Sequence, residues 1–73
     1  MTTPESQSQI TTAALRAELR RLIIEARVEM DLLCRQEDEE DEAGNPIAAT
    51  RKRVQADECS RRIDAFARAL EVL

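Results

Sequence analysis

The sequence predicts an all-α fold, an antiparallel helical hairpin that dimerises into a four-helix bundle. Three observations carry that expectation. The stretch 10–42 holds neither Gly nor Pro, and its apolar residues recur at three-four spacing. A stop-and-start signal follows at Glu42-Ala43-Gly44-Asn45-Pro46-Ile47. Beyond it, apolar residues again alternate three-four almost to Leu73.

Residues 1–9 are polar and poor in helix formers, and read as a flexible N-terminal arm ahead of a hairpin over 10–73. Thr3-Pro4-Glu5 also has the form of an N-cap followed by Pro at the first helical position, so an earlier helix start stays open beside a cap at Thr11 or Thr12. The first helix is expected over 10–42. Its main stripe is Leu15, Leu19, Leu22, Ile23, Ala26, Met30 and Leu33. A second apolar line, Ile10, Ala14, Ala17, Ile24, Val28 and Leu32, lies on another side of the same helix. One partner helix covers one stripe, so the second line needs a further surface.

The turn is expected at 43–45. Gly44 is the only glycine and reaches a left-handed conformation without a Cβ clash. Asn45 has the side chain of an N-cap, and Pro46 suits the first helical position. With so short a connection the helices must run antiparallel. The second helix, over 46–72, carries a heptad seam of Ala49, Lys52, Ala56, Cys59, Ile63, Phe66, Leu70 and Leu73. A thinner line of Ile47, Val54, Ala65 and Val72 runs on its opposite side.

Folding at the turn puts residues whose numbers sum to roughly 89 at one level. Leu19 then meets Leu70, Ile23 meets Phe66, Ala26 meets Ile63, Met30 meets Cys59, and Leu33 meets Ala56. The same register sets Glu37 beside Lys52 and Asp38 beside Arg51. Cys34 and Cys59 fall about one turn out of level, too far apart for a disulfide, and read as two small buried hydrophobes.

Composition excludes several functions. The chain has 73 residues, no His, no Trp or Tyr, and Phe66 as its sole aromatic. Without His, acid–base catalysis would fall to carboxylates or to Lys52, so no enzyme is expected. Glu25 and Glu29 stand at i, i+4, but a helical-bundle carboxylate metal site pairs such residues with a Glu-x-x-His element. No catalytic residue, metal or cofactor is therefore assigned. No apolar run approaches the ~20 residues of a membrane span and no signal-peptide pattern precedes the helices, so a cytoplasmic, reducing location is expected.

The acidic tip Glu37, Asp38, Glu39, Glu40, Asp41 and Glu42 leaves the rest of the chain at +2 against a formal total of −4. That balance makes nucleic-acid binding an unfavoured alternative, although Arg16, Arg20, Arg21 and Arg27 with Arg61, Arg62 and Arg68 could touch phosphates. A chain this short buries only about 60% of its unfolded surface. Completing the core therefore calls for a second copy or another protein. Ala17, Ile24, Val28 and Leu32, flanked by Arg20 and Arg27 and by the acidic tip, form the candidate binding surface. The expected function is a protein-binding module acting by steric occlusion, with an assembly adaptor as the plainer alternative.

Two families are similar in build. The Thr/Ser/Gln-rich start, the Arg/Glu/Ala-rich helices and the short hairpin resemble small phage-encoded helical proteins that disable host factors, of the quorum-sensing anti-activator type. That resemblance implies an inhibitor whose partner is a LuxR-type transcription factor. The two helices and tight turn also resemble the ROP-type hairpin, which implies an RNA-binding dimer. That family places a key aromatic on helix 1, where this chain has none.

Overall fold

In a computed structural model, the backbone is described for residues 4–73 and the side chains for residues 11–73. Two helices account for nearly all of it, α1 (Pro4–Glu42, 39 residues) and α2 (Pro46–Val72, 27 residues). Among the described residues there is no strand. α1 begins at Pro4 rather than at Ile10. The reason lies in the chain itself: Pro fits the first helical position, and nothing between Pro4 and Glu42 breaks a helix. Residues 1–3 of the expected arm lie outside the described residues.

The turn is a Schellman closure. Gly44 adopts φ 78°, the left-handed conformation that L side chains rarely take. Its N–H donates to the Asp41 carbonyl at 3.1 Å, and the Asn45 N–H donates to the Glu40 carbonyl at 2.8 Å. Those two bonds satisfy two of the carbonyls that the end of α1 would otherwise leave open. Asn45 differs from the expected cap. Its side chain makes no capping bond to α2. Its Nδ2 instead donates to Glu40 Oε2 at 3.0 Å, while its backbone carbonyl accepts from Ala49 N–H at 3.0 Å. Drawing the amide back to α1 ties the turn to the helix it leaves.

The seam follows the expected register closely. Leu33, Ala56 and Cys59 form the buried cluster with Met30 packed against it, which are the Met30–Cys59 and Leu33–Ala56 levels. Ala26 and Ala49 are buried as well. Leu19, Leu22 and Ile23 on α1, Ile63, Phe66 and Leu70 on α2, and Leu73 just past its end are half-buried. Cys59, at 1% exposure, is the most enclosed of the described side chains. Leu15 departs from the expected stripe and is 47% exposed. By the same register its level is at 74, past the end of α2 at Val72.

Among the described residues, three polar contacts tie the helices together along their length. Near the turn, Arg53 pairs with Glu37 at 2.7 Å. In the middle, Arg62 meets Glu29 at 3.7 Å. At the far end, the Arg16 guanidinium donates to the Leu73 carbonyl. The first corrects the expected Glu37–Lys52 and Asp38–Arg51 pairings. Lys52 sits in the seam and is half-buried, whereas Arg53, one residue round the helix, is exposed and reaches the half-buried Glu37 from the flank. Exposed pairs of this kind contribute little singly and serve mainly to fix register.

The product is a rod. Its principal extents are 63 × 16 × 12 Å and its radius of gyration is 17.8 Å, where a compact chain of this length would have about 11 Å. The 12 Å dimension is about one helix thick, so no second layer covers either broad side.

Because a Cβ at Gly44 would meet nothing within 4 Å, the cost of Gly44→Ala comes from the backbone alone. Urea denaturation is expected to show a loss of about 1 kcal/mol. A neutral or stabilising result would mean that the turn does not depend on the left-handed conformation.

Candidate protein-binding faces

Helical geometry places Ile24, Val28 and Leu32 roughly 160° around α1 from the seam residues Ala26 and Leu33. They therefore point away from α2, and all three are largely exposed, at 62%, 65% and 52%. Ala14 and Ala17 continue the line toward the N-terminus and are exposed. The side chain of Ile10 lies outside the described residues. On α2 the line of Ile47, Val54, Ala65 and Val72 is likewise exposed and faces away from α1. Each helix thus spends one side on the shared seam and shows an apolar line on the other.

The accessible surface expresses the same surplus. The chain exposes 5774 Å², whereas a compact monomer of 8.3 kDa would expose about 4,600 Å². A standard protein interface removes roughly 800 Å² per partner, so the surplus is of the size that one interface covers. Contiguous exposed apolar residues with a polar rim mark interaction surfaces.

Charges flanking the α1 line divide into two sets. Arg21 is committed within its own helix, donating to Glu18 through Nε at 3.1 Å and to Glu25 at 2.6 Å. Arg20, Arg27, Asp31 and Asp38 are exposed and form no ion pair with any of the described residues. Arg20 and Arg27 thus stand where the sequence places them, beside the line. Asp31 and Arg35 stand outside the residue set expected from the sequence, and with Val28 and Leu32 they line a shallow depression on this face. The signal was present: Asp31 stands three residues after Val28, and Arg35 three residues after Leu32.

The acidic tip does not act as one unit. Glu37 is taken by Arg53 and Glu40 by the Asn45 amide, while Asp38, Glu39, Asp41 and Glu42 are exposed. No cluster of three or more His, Cys, Asp or Glu side chains suited to a metal occurs among the described residues. No described helix is long and apolar enough to cross a membrane.

The cysteines part company. Both are free thiols, but only Cys59 is buried; Cys34 is exposed, which corrects the expectation of two buried hydrophobes. Cys34 follows Leu33 and so lies about 100° round from the seam. Burial pushes the Cys59 thiol up, with the nearby Glu29 carboxylate adding to the shift. Hydrogen bonding from Arg21 holds the Glu18 carboxyl below its ordinary value and correspondingly raises Arg21.

No family model matches the chain, and neither a curated protein nor a solved structure matches it. The faces must therefore be interpreted from their own chemistry.

Two outcomes check this geometry. A thiol reagent is expected to modify Cys34 in the folded protein and Cys59 only on unfolding, with equal rates contradicting the seam. In an NMR titration, Arg21→Ala should return the Glu18 midpoint upward toward 4.5. Since that carboxyl is lowered in the folded state, its small contribution is present above the unfolded value and lost as pH falls through the folded one.

Proposed function

We propose that this hairpin is a protein-binding module that associates with a second copy and acts by occupying a protein surface. One observation carries the reading. The Ile24-Val28-Leu32 line is exposed on a helix whose opposite side is already used by the seam. A rigid helix presenting apolar residues at i, i+4 and i+8 suits docking against another helix or in an apolar groove. Its polar rim supplies register and choice of partner more than raw affinity.

Binding of this kind needs no cofactor and no bond-making chemistry. It blocks whatever surface it covers. The lines on α1 and α2 face opposite ways, so self-association through one leaves the other open to a different protein. For that second role, the target class implied by the anti-activator resemblance, a LuxR-type regulator, is the first partner to try. Phosphate binding fits the surface less well, because the exposed arginines are interleaved with Glu18, Glu25 and Asp31 and no aromatic side chain on α1 is available to stack a base.

Val28 is the test position. A folded state completed by association melts at higher temperature as protein concentration rises. The wild-type chain is expected to show that dependence between micromolar and submillimolar concentration. Val28→Asp should abolish it and lower the melting midpoint at every concentration. If the wild-type midpoint is independent of concentration, or Val28→Asp leaves the dependence intact, the α1 line is not the binding face.

A further inference from the structure

We infer that the occupant of the outer face of α1 is a second copy of this chain, lying antiparallel with the two Val28 side chains next to a two-fold axis. The inference rests on the protein-binding reading and adds both the partner and its orientation. Its basis is self-complementarity, which a two-fold interface demands. The apolar line is centred on Val28, with Ile24 and Leu32 equally spaced on either side. Rotation about that centre brings Ile24 onto Leu32 of the second copy and Leu32 onto its Ile24.

The charges on one rim repeat this symmetry with opposite signs. Reading along α1, Arg20 and Arg27 precede the centre, and Asp31 and Asp38 follow it. Antiparallel pairing brings Arg27 to Asp31 of the second copy and Arg20 to its Asp38, each about 3 Å from level along the axis and within side-chain reach. The two-fold doubles both pairs. These four side chains are also ones that lack an ion pair among the described residues, unlike Arg21, Glu29, Glu37, Arg53 and Arg62. Arg35 comes level with Arg21 of the second copy, whose charge is already met by Glu18 and Glu25.

A parallel two-fold would turn this rim toward the opposite rim of the second copy, so the Arg27–Asp31 and Arg20–Asp38 pairs could not form. It would also lay the two acidic tips side by side, and like charges so placed select against that orientation.

The geometry also sets the shape of the assembly. A square four-helix bundle needs two apolar sides about 90° apart on each helix, whereas α1 has them roughly 160° apart. Pairing here gives a row, α2 and α1 of one copy followed by α1 and α2 of the other. The α2 lines are left at its two outer edges.

Cross-linking reads the orientation directly. In a Cys34→Ser background the buried Cys59 stays silent, and Ile24→Cys chains are mixed with Leu32→Cys chains under mild oxidant. Covalent dimers are expected from the mixture and from neither variant alone. Same-position dimers of either variant would overturn the antiparallel arrangement while leaving self-association standing. Concentration-dependent melting without any cross-link would place the second copy on another face, and a concentration-independent monomer would remove the protein-binding reading as well.

A charge swap supplies an independent measurement. Arg20→Asp is expected to weaken association several-fold, and Asp38→Arg added to it to restore most of the loss. Within one chain these positions are about 27 Å apart along the helix, so rescue can arise only between chains. Absence of rescue would overturn the pairing.

Discussion

Two helices joined by a short turn share one seam, and each can turn only one side toward it. That constraint governs everything else in this molecule. The seam is economical: Ala26, Ala49 and Ala56 let the helices approach, and Leu33 with Cys59 fills the space between. Small residues give close contact but bury little area. The larger residues Leu22, Ile23, Ile63, Phe66 and Leu70 are therefore only half-covered. The hydrophobic contribution to stability scales with area removed from water, so a rod one helix thick is marginal by itself.

Polar features take a supporting part and divide the labour between the two sides of α1. On the seam side, Glu37–Arg53, Glu29–Arg62 and Arg16 to the Leu73 carbonyl hold register from the turn to the far end. The Schellman bonds at Asp41 and Glu40 fix where that register begins. On the outer side, Arg20, Arg27, Asp31 and Asp38 form no ion pair among the described residues. These charged residues lie along one edge of the exposed Ile24, Val28 and Leu32, and polar residues bordering an apolar centre support the proposed docking role.

Most of the fold is legible in the sequence because its signals are periodic and local. A lone glycine followed by Asn-Pro stops one helix and starts another, and three-four spacing identifies the facing sides. What escaped has physical reasons. Periodicity counts Leu15 into the stripe but does not show that α2 ends before reaching its level. A level match pairs Glu37 with Lys52, yet ion pairs form at the flanks of a seam, where Arg53 emerges. A cap-forming residue type does not settle which helix its side chain serves, and Asn45 reaches back to Glu40. The candidate face was legible as an apolar line, while Asp31 was hidden among many charged residues.

The central claim is that a second polypeptide covers what the seam leaves open. Sedimentation equilibrium of the wild-type chain at micromolar concentration tests it most directly. A well-folded species of twice 8.3 kDa agrees with the account. A fully helical, cooperatively melting particle of 8.3 kDa at the same concentration contradicts it, because the hairpin would then be stable with its outer apolar lines in water.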